Sequence, residues 1–182
     1  MKVNFTLETA DFLEHQLFVA SISDTVRKQR LKTRIGIPIS YMLIGLVMSI
    51  YKKDLVPVII FAAIAVAWFF LYPIRDRKRY EKHYRNYVNE NAKDMVGKPH
   101  EVAFEAGVIR QSSEAGEARV NMTDVKEIYE LKTIIMIRLK SGGSLVIPKL
   151  RIENLEALRS YLQEMALEMD LRFSINDQWE WK

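Results

Sequence analysis

Two long apolar runs stand out from a chain that is densely charged on either side of them. Ile35 to Tyr51 comprises the 17 uncharged residues between Arg34 and Lys52, and Leu55 to Ile74 the 20 between Asp54 and Arg75. A helix needs about 20 apolar residues to cross a hydrocarbon core of about 30 Å, and roughly 17 is near the lower limit. The second run is long enough, whereas the first must draw its flanking side chains toward the headgroups. The alternative is a pair of buried helices in a soluble protein, but helices that are apolar on every side must be wrapped by other protein. The residues after the second run are needed for a core of their own. Only Lys52, Lys53 and Asp54 separate the runs, so the helices are expected to form an antiparallel hairpin. Asp54 can cap the second helix, and Pro57 then falls in its first turn, where a missing N–H costs little. Gly36 with Ser40, Gly45 with Ser49, and Ala63 with Ala67 place small residues four apart, a spacing that lets helices approach closely in lipid. Packing within the hairpin and packing between two chains, as a homo-oligomer, both fit.

Beyond the hairpin, Asp76 to Asn91 reads as a continuing helix in which Tyr80, Tyr84 and Tyr87 recur on one face among basic residues, as in a stalk packed on a soluble domain. From Gly97 the period changes. Glu101 to Phe104, Val108 to Ser112, Ala118 to Asn121, Val125 to Glu130, Ile134 to Lys140 and Ser144 to Pro148 are predicted strands, with turns at Ala106-Gly107, Glu114 to Gly116 and Ser141 to Gly143. Asn154 can cap a helix reaching about Met169, with Leu155, Leu158, Leu162, Met165 and Met169 along one face. Met1 to Leu7 and Arg172 to Trp181 alternate apolar and polar residues, and both can join one sheet. The expected fold class is therefore an α+β membrane protein: a transmembrane helical hairpin plus a small antiparallel β-sandwich or open barrel, capped by a C-terminal amphipathic helix. Its parts are an N-terminal strand and helix (1–34), the hairpin (35–74, as 35–51 and 55–74), a basic juxtamembrane helix (75–95) and a β domain with its helix (96–182).

Charge sharpens this picture. The formal net charge is +4, but residues 1–25 carry one basic residue against four acidic ones, residues 26–100 carry 15 against 5, and residues 101–182 carry 11 against 14. The basic excess hugs the apolar runs, and the mildly acidic C-terminal part would repel a phosphate backbone, which argues against nucleic-acid binding. Arg27, Lys28, Arg30, Lys32 and Arg34 precede the first run and Arg75, Arg77, Lys78, Arg79, Lys82 and Arg85 follow the second, against Lys52 and Lys53 in the turn. The positive-inside rule then puts both termini in the cytoplasm. Arg75, Arg77, Lys78, Arg79 and Lys82 are the candidate contacts to lipid headgroups, each such cation contributing about 1 kcal/mol near an anionic surface. Tyr41, Tyr51 and Tyr72 are candidate interfacial anchors. There is no cysteine, which excludes disulfides and thiolate chemistry and fits a reducing compartment. Met1 to Asp24 is acidic and mixed rather than basic then apolar, so the hairpin itself is expected to direct insertion.

The order of parts resembles the YcxB-like family of bacterial membrane proteins, in which a short N-terminal strand and helix and two transmembrane helices precede a β-rich domain similar to pleckstrin-homology folds. Val120 to Lys149 carries the closest likeness. Asn121-Met122-Thr123-Asp124-Val125-Lys126-Glu127-Ile128 stands where the family shows a Trp followed by Ser-Asp and an apolar residue. Leu145-Val146-Ile147-Pro148-Lys149 resembles its Ile-Pro-Lys-Arg signature. Met122 replaces the Trp, Leu150 falls where Arg is expected, and Arg151 comes one place later. The resemblance implies a multi-pass protein of the bacterial inner membrane and brings no catalytic residues.

No nucleophile elbow, phosphate-binding glycine loop or HExxH pattern occurs. His15, His83 and His100 lack metal-ligand spacing and read as ordinary surface or helix histidines, while Asp124, Glu127 and Glu130 flank a strand as a solvated face. No catalytic residue, metal or cofactor is expected. The leading expectation is a non-enzymatic module that presents its β domain to a protein or peptide, through an exposed sheet edge. Two other functions fit the layout: an immunity protein that neutralises a membrane-active toxin, and a sensor of anionic lipid. The acidic C-terminal part weakens the last, because headgroup binding needs cations.

Overall fold

In the computed structural model, which describes every residue except Asp94 and Ala115, the chain forms mixed α and β structure. The strands are β1 (Lys2–Thr6), β2 (Pro99–Glu105), β3 (Val108–Ser113), β4 (Gly116–Asn121), β5 (Val125–Glu130), β6 (Ile134–Leu139), β7 (Ser144–Pro148) and β8 (Arg172–Ile175). The α-helices are α1 (Thr9–Ile22), α2 (Asp24–Lys52), α3 (Val56–Asn91) and α4 (Leu155–Glu168). Two compact units result, Met1–Gln16 with Tyr84–Glu180, and Leu17–His83 with Trp181–Lys182.

In the first unit two four-stranded sheets lie in the orders β1-β2-β3-β4 and β7-β6-β5-β8. They do not close into a barrel. β2 alternates, burying Val102 and Phe104, and β3 adds Ile109, whereas β5, β6 and β7 are buried on both faces over residues 128–130, 134–137 and 145–148. Helix α4 adds Leu158, Leu162, Met165 and Ala166 from one face. Asn154 accepts from the Ala157 amide as its N-cap, as its position before the apolar period implies. The β6–β7 turn needs Gly142, whose φ of 93° lies in the left-handed region. The predicted turn at Glu114 to Gly116 includes Ala115, which lies outside the described residues.

The two terminal strands do not share a sheet, contrary to expectation. β1 pairs antiparallel with β2, Lys2 opposite Ala103 through Thr6 opposite Pro99, whereas β8 runs parallel to β5. A parallel partner requires a crossover of a dozen or more residues. α4 provides that crossover after β7, so it is the helix that assigns the tail to the other sheet. β8 also stops at Ile175, and Trp179 and Trp181 lie beyond it.

In the second unit α2 and α3 are each longer than the apolar runs they contain and continue without a break through Pro38 and Pro73. Both are long and apolar enough to cross a membrane, and only 11% of the most apolar stretch of each is buried. Lys53 closes α2 in a left-handed conformation. The Asp54 carboxylate accepts from the Val56 amide at 3.1 Å, the cap the sequence predicted. Of the three small-residue pairs, Gly45 with Ser49 is buried within the hairpin. A Cβ at Gly45 would lie 2.7 Å from the Phe61 Cβ and 3.3 Å from the Val58 Cα, so the backbones meet there. Ser40, Ala63 and Ala67 are exposed.

Of the predicted tyrosine stripe, Tyr80 and Tyr84 are half-buried. Tyr87 is exposed, whereas Val88 and, just past the helix end, Ala92 are buried. A face rich in basic residues hid the apolar pair one position further on.

Candidate functional site

The basic segments beside the apolar runs build a polar layer between α2 and α3. Asp76, with a fully buried side chain, is its centre. Arg30 reaches it from α2 at 2.7 Å and Arg79 from one turn further along α3 at 2.9 Å. A buried carboxylate requires such partners. Trp181 closes the layer. Its indole N–H donates to the Arg77 carbonyl at 3.1 Å, and its ring lies 4.7 Å from the Arg30 guanidinium and 5.7 Å from the Tyr80 ring. Arg30 also donates to the Lys182 carbonyl at 2.7 Å. The tail residue read as part of a strand is therefore an anchor for an arginine.

Next to this layer a cleft of about 290 Å³ opens, lined by Arg27, Arg30 and Arg34 of α2 and by Tyr72 and Pro73 of α3. The three arginines follow at the i, i+3, i+7 spacing that puts them on one helix face. Arg27 pairs with Asp24 on the surface. Arg34 lies over the Phe69 ring at 4.4 Å, and its Nε is buried with no hydrogen-bond partner.

The predicted headgroup contacts divide differently. Arg75, Arg77, Lys78, Arg79 and Lys82 are all exposed. Helical periodicity puts Arg75, Lys78, Arg79 and Lys82 within roughly a third of the circumference of α3 and Arg77 on the opposite side. Only Arg79 joins the Asp76 cluster. Arg79 lines one cleft with Tyr80 and His83 and Arg75 another beside Trp68 and Tyr72, whereas Arg27, Arg30 and Arg34 of α2 share a single cleft.

In the β unit the motif residues have structural partners. Glu130, expected on a solvated face, has a side chain only 2% exposed. It receives Arg159 in a two-pronged contact at 2.5 and 2.9 Å and Lys149 at 2.7 Å. Its carboxyl is held below the usual carboxylate range chiefly by the Arg159 hydrogen bonds, with Lys149 adding to the effect and burial opposing it. Glu127 is half-buried, pairing with Arg138 at 2.8 Å and accepting from the Tyr129 hydroxyl. Asp124 alone of the three is exposed. Arg151 donates to the Thr6 carbonyl at 2.9 Å and pairs with Asp11 and, at 3.0 Å, with Glu8. Lys149 and Arg151 thus fasten two separate parts of the same unit, and Met122 is buried in the core.

His100 is also not a surface histidine. It is buried on β2, stacked on Phe5, with Nε2 3.2 Å from the Met95 carbonyl oxygen. His15 is mostly buried, and desolvation lowers its pKa to about 4. Among the described residues no three His, Asp or Glu side chains are grouped to hold a metal ion. At the open end of the first sheet, β4 is an edge strand with none of its six residues buried and with Glu117 and Arg119 facing solvent.

No family model, curated protein or solved structure matches the chain.

Proposed function

We propose that this chain is a non-enzymatic, membrane-anchored interaction module of the YcxB-like kind. The α2–α3 hairpin crosses the bacterial inner membrane, and a pleckstrin-homology-like β unit on the cytoplasmic side receives an extended peptide along β4. The exposure of both apolar helices supports the anchor, since core helices of a soluble protein would be covered. The pairing of β1 with β2 supports termini on one side: residues flanking the hairpin share a sheet, so any crossing between them occurs an even number of times. The basic residues then assign that side to the cytoplasm.

The interaction itself rests on β4. An edge strand presents unpaired N–H and C=O groups to an added strand, and flanking charges choose the partner. Two measurements test the proposal. Because the chain lacks cysteine, Lys53→Cys should react with an impermeant maleimide on intact cells, and Lys132→Cys only after permeabilisation; the reverse pattern removes the orientation. Affinity purification in mild detergent should recover a stoichiometric protein that is lost when Glu117→Lys and Arg119→Glu are combined. Recovery of the chain alone, or of a partner indifferent to that change, counts against the edge.

A further inference from the structure

Arg27, Arg30 and Arg34 line one cleft, but they are not equally committed. Arg30 is occupied by Asp76, the Lys182 carbonyl and the Trp181 ring. Among the described residues Arg27 pairs only with Asp24, and the two side chains are 74% and 72% exposed, a contact worth little in water. Arg34 has no ion pair among the described residues. Its Nε is buried without an acceptor, a state that costs free energy until an acceptor arrives.

The chemistry of that acceptor follows from charge and depth. Four arginines, Arg27, Arg30, Arg34 and Arg79, face two carboxylates, Asp24 and Asp76, so the locality keeps a positive surplus and favours an anion over a zwitterion. Arg34 is the last charged residue before the 17 uncharged ones. From Arg34 to Lys52 the helix rises about 27 Å, close to the hydrocarbon thickness. A helix that spans the bilayer therefore carries the Arg34 guanidinium at the depth of the lipid phosphates. Most of the remaining lining is apolar: Ala20, Val26, Leu31, Pro73 and the Tyr72 ring. A guanidinium fork matches phosphate oxygens better than a point charge does.

We infer that the cleft binds the phosphate of an anionic phospholipid, with Arg34 and Arg27 donating to its oxygens and the apolar lining running beside the glycerol and first acyl carbons. This rests on the membrane-spanning reading above. Arg30 is a positioning residue that holds α2 against α3 through Asp76. The exposed Arg75, Lys78 and Lys82 contribute only a diffuse field.

The full-length chain is first fractionated. A chain that stays in the membrane pellet through alkaline carbonate retains the anchor whatever follows, whereas one released to the supernatant overturns the anchor and this inference together. The detergent-purified protein is then titrated with phosphatidylglycerol, phosphatidylcholine or inorganic phosphate and read by native mass spectrometry. One saturable phosphatidylglycerol is expected, bound about tenfold or more above phosphatidylcholine. Arg34→Gln should weaken it about tenfold or more, the scale of a lost charge-assisted contact. Arg34→Lys should fall between the two, and Lys78→Gln should match the unaltered chain. An unchanged melting temperature certifies the fold of each variant. Equal binding by Arg34→Gln, an equal fall for Lys78→Gln, or equal uptake of phosphatidylcholine overturns the site. Displacement of the lipid by millimolar phosphate assigns the cleft to a free anion and overturns the lipid.

Discussion

At Glu130 one carboxylate, 2% exposed, satisfies two cations from distant parts of the chain, Lys149 after β7 and Arg159 in α4. Removing its charge leaves Lys149 with the Leu131 carbonyl and Arg159 with the exposed Glu156 alone. Glu130→Gln should cost about 3 kcal/mol at neutral pH, lowering the melting temperature of the β unit by about 10 °C or more in a calorimetric scan. Its folded pKa is depressed, so its contribution is present above the unfolded value of 4.5 and is lost as pH falls through the lower folded value. The gap between Glu130→Gln and the unaltered chain should therefore narrow only below about pH 4.5. His15 acts in a different window. The unfolded chain takes up its proton near 6.5 and the folded chain only near 4, so stability is full above 6.5 and declines as pH falls toward 4. His15→Leu should flatten that limb, and denaturant midpoints measured from pH 7 to pH 4 will show whether it does.

Between elements, contact distance decides what can change. At Gly45 the α2 and α3 backbones approach so closely that even a methyl group meets the Phe61 Cβ at 2.7 Å. Gly45→Ala should cost about 1–3 kcal/mol by overpacking and Gly45→Leu more. Gly36→Ala, which meets nothing within 4 Å, should leave the helix unharmed or slightly firmer; thermal denaturation in detergent separates the three. Elements were readable wherever the pattern was local. Val125 to Glu130 and Ser144 to Pro148 alternate or run apolar between clear turns, and Asn154 precedes a regular 3.6-residue period. What could not be read was pairing across distance. Nothing local distinguishes Phe173 as a partner of Ile128, and nothing in the acids around β5 reveals that Glu130 faces inward toward two cations. The α2 cleft escaped for the same reason. Arg34 counts as one more basic residue until Phe69, far along the chain, is seen beneath it.

Across the whole molecule, the N-terminal segment belongs to a unit whose other strands follow the hairpin. Arg151 holds it through the Thr6 carbonyl, Glu8 and Asp11. Arg151→Ala should raise amide exchange across Lys2–Thr6 by about tenfold or more, the factor that corresponds to about 1.4 kcal/mol; exchange–mass spectrometry that found faster exchange only near residue 151 would contradict this. The β1–β2 register, with Val3 opposite Val102 and Phe5 opposite His100, also sets an order of events during synthesis. The ribosome releases β1 long before β2, and at 5–20 residues per second the interval is roughly 5 to 20 s. Throughout that wait Val3, Phe5 and Leu7 have no sheet to join, while the hairpin is already committing to its surroundings. A newborn chain therefore completes both long helices before it can assemble its first sheet, and until β2 emerges the apolar residues of β1 lack the strand that covers them.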